Sequence, residues 1–222
     1  MIGAAVELLR RIADLGGPVV LILIGVSVLT VAVVIYKLWQ FAAAGVGRHR
    51  ALAEAVVAWD GGDRGLARAA LGRSRSYLRP VIELAMSGQT DPERLGAEAE
   101  ARFARLERGF RLLDSVAQLS PLLGLFGTVL GMIAAFQALQ AAGTQVDPSI
   151  LAGGIWVALL TTAVGLAVAM PTALILSWFE SRMEAERVLA DTAIHTVLAP
   201  SRPQGAPLAG AEAAARAGAI HA

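Results

Sequence analysis

Three long stretches of this chain, residues 18–36, 115–146 and 148–179, contain no charged side chain. A helix needs about 20 apolar residues to cross a hydrocarbon core roughly 30 Å thick. In lipid the backbone of a lone apolar segment can satisfy its N–H and C=O groups only as a helix. The expected fold is therefore an all-α membrane protein with three transmembrane helices, the second and third extended into a cytoplasmic helical domain. Composition agrees: 56% of the residues are hydrophobic, against about 45–50% in globular chains. With no cysteine in the chain, disulfides and thiolate metal sites are excluded. A cleaved signal peptide is the rival reading of the first stretch. That stretch exceeds the roughly 7–15-residue core of such peptides, and Lys37 follows it as a stop, so a retained span is expected.

Basic residues set the orientation. Of the nineteen Lys and Arg residues, Arg10 and Arg11 precede the first span, and the connection 137–149 has none. The others lie between Lys37 and Arg111 or after residue 179. By the positive-inside rule the N-terminus is expected outside and the C-terminus in the cytoplasm. The expected organisation is an outer interfacial amphipathic helix (1–17), span one (18–40), a cytoplasmic helical domain (41–114) and span two (115–140). An outer loop (141–149), span three (150–179), a cytoplasmic helix (180–199) and a disordered tail (200–222) follow. In the first segment Ile2, Val6, Leu9 and Ala13 share one face, opposite Glu7, Arg10, Arg11 and Asp14. Span one is rich in Val, Ile and Leu, which suits a lipid-facing helix. Tyr36 and Trp39 stand at its cytoplasmic end, where aromatic residues anchor at headgroups.

Within the cytoplasmic domain, Gly61-Gly62-Asp63 and Ser87-Gly88 are expected breaks between short helices. The run TDPER (90–94) starts a helix, with Thr90 or Asp91 as cap and Pro92 in the first turn. From there the spacing of Phe103, Leu106, Phe110 and Leu113 predicts one continuous helix into span two, with a bend at Pro121. Glu98–Arg102 and Glu107–Arg111 have the spacing of i,i+4 ion pairs.

In span two Gly124, Thr128, Gly131 and Ala135 share one face at helical spacing, with Gly127 four residues before Gly131; in span three Ala158, Thr162, Gly165 and Ala169 share one face. Apolar helices in lipid have little hydrophobic reason to associate, and small residues let backbones approach closely enough for packing and hydrogen bonds to do so. Ordinary helix packing explains a Gly-x-x-x-Gly pair such as 127–131. Two matched stripes, each with a threonine, also suit a wall that meets another helix or a thin column of water. None of the three uncharged stretches contains Asp, Glu, Lys, Arg or His. Proton relays within membranes normally need an ionisable group, so a titrating group for ion movement has to come from a partner.

The stretches LSPLLGLFGTVLGMIAAF (119–136) and LAGGIWVALLTTAVGLAVAMPTALI (151–175) resemble spans two and three of the MotA/TolQ/ExbB proton channel family. They include its Gly-Thr-Val pattern and the Thr-Ala-x-Gly-Leu stretch followed by Pro171. Three spans with an outside N-terminus fit the ExbB/TolQ branch. The resemblance implies a homopentameric ring in the bacterial inner membrane around a dimer of a single-span ExbD/TolR-like protein. That partner supplies the titrating aspartate, and a TonB/TolA-like protein receives the work. It also implies that Thr128 and Thr162 face the aspartate, with Thr161, turned by about 100°, a lesser candidate. One departure is Val157, where many ExbB and TolQ members carry a glutamate. That loss fits a divergent paralogue, a ring that relies wholly on its partner's carboxylate, or the use of a different ion.

The competing readings are a non-conducting oligomeric membrane scaffold and a small enzyme or solute carrier. No catalytic constellation supports an enzyme: His49, His195 and His221 are scattered outside the spans and read as surface residues. Glu98, Glu100 and Glu107 read as a solvated face neutralised by arginines. No cofactor, metal or nucleic acid is expected; membrane lipid is.

Overall fold

The computed structural model describes the backbone of residues 2–141 and 148–201, and the side chains of 17–141, 148–149 and 151–201. Every regular element among the described residues is a helix: α1 (Ile2–Ala44), α2 (Arg50–Asp60), α3 (Arg64–Arg73), α4 (Arg79–Met86), α5 (Pro92–Glu107), α6 (Phe110–Ala141) and α7 (Pro148–Leu198). Three of them contain segments long and apolar enough to cross a membrane: Gly17–Ala44, Phe110–Ala141 and Leu151–Leu198. Helix α1 is interrupted at Gly17, whose φ of 68° lies in the left-handed region that glycine tolerates. Pro18 then starts the apolar run. The side chains of the expected amphipathic face at 2–15 lie outside the described residues, as do positions 142–147 of the loop and 202–222 of the tail.

The chain divides into two compact units. The first comprises Met1–Trp39 and Arg108–Arg182. Its core includes Leu23, Leu113 and Phe179, with the Phe110 and Phe179 rings stacked at 5.6 Å. Lys37 is buried in this unit, with its Nζ 5.6 Å from the Phe110 ring centroid. Val28, Leu29, Val31 and Ile35 of α1 are exposed, which leaves an apolar face for lipid or another protein.

The second unit comprises Gln40–Glu107 and Met183–Ala222. The expected breaks appear: Gly62 and Gly88 have φ of 88° and 108°, ending α2 and α4. The Asp63 side chain accepts the Leu66 N–H at 2.8 Å and so caps α3. At the TDPER start the capping residue is Asp91, which accepts from Glu93 N at 3.0 Å and Arg94 N at 3.4 Å. Trp59 is buried and donates its indole N–H to the Val197 carbonyl at 3.0 Å, while the Arg64 guanidinium lies 3.6 Å over its ring.

Three expectations change. The helix expected to run unbroken from Pro92 is two helices, parted at Gly109, whose φ is 97°. Pro121, where a bend is expected, lies inside the second of these, α6. Glu107, expected to pair with Arg111, meets Arg187 at 2.8 Å instead, and Arg187 also holds Glu100 at 3.0 Å. The break at Gly109 removes the helical turn that an i,i+4 pair needs. The Glu98–Arg102 pair forms as expected at 2.8 Å. Finally, His49 is buried rather than on the surface, 2.6 Å from the equally buried Glu186. His195 is exposed, and His221 lies outside the described residues.

Candidate functional site

Helices α6 and α7 meet within the first unit along their small residues. The pairing runs antiparallel: Ala135 lies against Gly154, Gly131 against Ala158, Gly127 against Thr161, and Gly124 and Ser120 against Gly165. The backbones are so close that side chains have no room. A Cβ at Gly165 would lie 2.6 Å from the Ser120 backbone oxygen and 3.1 Å from Gly124 Cα. At Gly124 it would lie 2.9 Å from the Thr161 carbonyl, and at Gly127 2.8 Å from the Thr161 hydroxyl. At Gly154 it would overlap the Ala135 methyl. Gly154 and Ser120 were not singled out from the sequence, and only the facing helix reveals them. Ser120 is 1% exposed, and its hydroxyl has no hydrogen-bond partner among the described residues.

The seam on α6 is therefore Gly124, Gly127, Gly131 and Ala135; on α7 it is Ala158, Thr161, Gly165 and Ala169, the last also buried. Thr161 is the threonine inside the seam, 2% exposed. Its hydroxyl donates to Ala158 O at 2.7 Å, within its own helix, and lies 3.2 Å from Gly124 O across the seam. Thr162 is half-buried beside it and donates to the same Gly124 O at 3.3 Å. Thr128 is half-buried and donates back to Leu125 O at 2.7 Å, the local bond common for threonine in helices. Pro171 is exposed on α7. It lines an open groove of about 340 Å³ with Ser27, Thr30 and Thr172, on the side toward α1 rather than α6.

Helical geometry relates the two flanking threonines. One residue along an α-helix turns the side chain by about 100°. In an antiparallel pair that step swings both helices toward the same flank. Thr128 follows Gly127 and Thr162 follows Thr161, and those two predecessors face one another. Thr128 and Thr162 thus border one side of the seam, each half-open. Val157, one step before Ala158, turns the opposite way and is half-buried. Among the described residues no cluster of His, Asp and Glu has the makings of a metal site.

The sequence pattern of the MotA/TolQ/ExbB proton channel family matches residues 69–191, a stretch that includes α6 and most of α7. The chain belongs to the MotA/TolQ/ExbB proton channel family. It is a membrane protein of that family. It is similar to ExbB-like 3, a putative biopolymer transport protein of Synechocystis sp., at 31% identity over 75% of this chain and 82% of the relative. It is 49% identical to biopolymer transport protein exbB1 of Vibrio cholerae serotype O1, over 28% of either chain. It is 41% identical to the Tol-Pal system protein TolQ of Haemophilus influenzae, over 36% of this chain and 35% of the relative. The matches to the Vibrio and Haemophilus proteins thus span well under half the length of those relatives.

Proposed function

We propose that this chain is the multi-span subunit of an ion-motive-force-driven complex in the bacterial inner membrane, its N-terminus periplasmic and its C-terminus cytoplasmic. In this reading five copies ring a dimer of a single-span ExbD/TolR-like protein. A carboxylate in the partner's span takes up and releases the proton, and the resulting motion is passed to a TonB/TolA-like protein for transport or envelope work. The observation that carries the reading is the flank bearing Thr128 and Thr162, two hydroxyls beside a seam with no ionisable side chain. A hydroxyl can hand on or steady a proton but cannot titrate near neutral pH, so the charge has to be carried by another chain. The seam itself is buried between α6 and α7 and locks the two helices together, which holds the flank in a fixed position beside the partner.

One observation favours a non-conducting scaffold instead: in this chain each flanking hydroxyl already bonds a backbone carbonyl. The two readings separate on the intact complex. Co-purification with a single-span neighbour, followed by native mass measurement, is expected to give five copies of this chain with two of the partner. A homo-oligomer that retains no such partner rejects the proposal. Thr128→Val is expected to lower proton leak through vesicles holding both subunits by at least about a hundredfold, the low end of what is lost when a proton-transfer group is removed. An unchanged leak reduces Thr128 to a packing residue.

A further inference from the structure

Two short segments of the second unit carry arginines on either side of buried polar residues. One is Arg48-His49-Arg50, where the turn after α1 enters α2. The other is Arg73-Ser74-Arg75-Ser76, where α3 gives way to the linker before α4. His49, Ser74 and Ser76 are buried, and Arg48, Arg50, Arg73 and Arg75 are exposed. In the linker the backbone dictates this sorting. Ser74 is extended, and successive residues of an extended chain point to opposite sides. The serines turn inward: Ser74 Oγ accepts the Ser76 N–H at 3.3 Å, and Ser76 Oγ accepts the Leu78 N–H at 3.2 Å. His49 turns inward to Glu186, and its Nδ1 lies 3.1 Å from Ser76 Oγ. The buried sides of the two segments are thus joined, and their arginines are left at the surface around one joint. Gly45 tightens it. Its carbonyl accepts the Arg48 N–H at 2.9 Å, and a Cβ added to it would lie 3.0 Å from the Arg75 backbone oxygen.

The charges at this joint are poorly balanced. Glu54 holds Arg50 at 3.2 Å and Arg73 at 3.5 Å, while Arg48 and Arg75 form no ion pair among the described residues. The joint also abuts the end of a membrane span. The apolar stretch Gly17–Ala44 ends at the residue whose carbonyl accepts the Tyr77 N–H at 3.3 Å. Phospholipid headgroups fill the layer just outside the hydrocarbon core, where such a span ends.

We infer that Arg48 and Arg75 seat the phosphate of an anionic phospholipid headgroup at the end of the first span. A guanidinium fork matches phosphate oxygens two at a time. A zwitterionic headgroup brings its own cation, which the surrounding arginines repel; a net-negative headgroup does not. The span favours a lipid over a soluble anion, because it holds the joint beside a dense layer of headgroups and raises their effective concentration. Each basic residue near an anionic surface strengthens attraction about fivefold, so the pair accounts for about 25-fold. The inference needs only that Gly17–Ala44 lies in a bilayer, and it stands whether or not the chain conducts.

The test titrates the full chain in detergent with phosphatidylglycerol or phosphatidylcholine of the same acyl chains, and counts bound lipid by native mass measurement. Phosphatidylglycerol is expected to bind about 25-fold more tightly, and Arg48→Gln with Arg75→Gln to remove most of that preference. Arg68→Gln with Arg94→Gln takes the same charge from exposed positions outside the two segments, and the preference should survive it. Excess inorganic phosphate should leave the bound phosphatidylglycerol in place. Equal binding of the two lipids by the unmodified chain overturns the inference, whatever the variants do. A preference lost equally in both double variants overturns it as well, since net charge rather than a seat then attracts the lipid. Full displacement by inorganic phosphate also overturns it, and gives the site to a soluble anion.

Discussion

Gly165→Val is expected to separate α6 from α7 and to lower the thermal midpoint of the detergent-solubilised protein by roughly 6–12 °C. The physical cause is local and unforgiving. Even one methyl at position 165 would stand 2.6 Å from the Ser120 backbone oxygen and 3.1 Å from Gly124 Cα. Both obstacles are backbone, so no side-chain rotation relieves them, and the helices have to move apart. Overpacking a tight site costs about 1–3 kcal/mol and occasionally more. Here the upper end applies, because separation also breaks the contacts at Gly124 and Gly127. About 3 kcal/mol in a chain of this size corresponds to the stated shift at roughly 2–4 °C per kcal/mol. Gly96→Ala is the control. Gly96 lies in α5 with nothing within 4 Å of an added Cβ, and alanine there should stabilise by about 0.5–1 kcal/mol through helix propensity. If Gly165→Val melts with the parent, the helices are not packed as closely as described, and the seam loses its meaning.

The parts of this structure that follow from local chemistry could be read from the sequence, and the parts that depend on a facing helix could not. Three spans are legible because an uncharged run of sufficient length has few other fates. The capping by Asp63 and Asp91 and the breaks at Gly62 and Gly88 follow from short-range rules. The break at Gly109 was hidden, because Phe103, Leu106, Phe110 and Leu113 keep their 3–4 spacing across it and are all buried. The choice between Thr161 and Thr162 was harder still. Adjacent threonines fit two phases of the same small-residue pattern, 3-4-4 or 4-3-4, and periodicity cannot separate them. Gly127 on the other helix selects Thr161 for the seam. His49 was hidden for the same reason: nothing near it in sequence announces Glu186.

Thr162→Val is expected to abolish coupled function, to below about a hundredth of the parent, while leaving the complex assembled. That loss lies at the low end of what removing a group from a proton-transfer step costs. Valine keeps the shape of threonine and removes the hydroxyl, so the half-open flank retains its contour but offers nothing to a partner's carboxylate. Thr161→Val supplies the contrast. Thr161 is enclosed by Gly127, with its hydroxyl satisfied by Ala158 O and near Gly124 O. Losing that hydroxyl costs about 0.6 kcal/mol of helix association on average and about 1.7 kcal/mol at most, the range for hydrogen bonds between helices in membranes. Thr161→Val should therefore lower the thermal midpoint slightly and keep most of the coupled activity. The pair of variants tests position against chemistry, because the two residues are neighbours of the same type sharing one carbonyl acceptor. If Thr161→Val is inactive and Thr162→Val is normal, the working face is the seam itself, and the two helices have to part for the partner to reach it. If both variants are fully active, hydroxyls on α7 do not take part, and the proton has to be carried entirely by the partner chain and water.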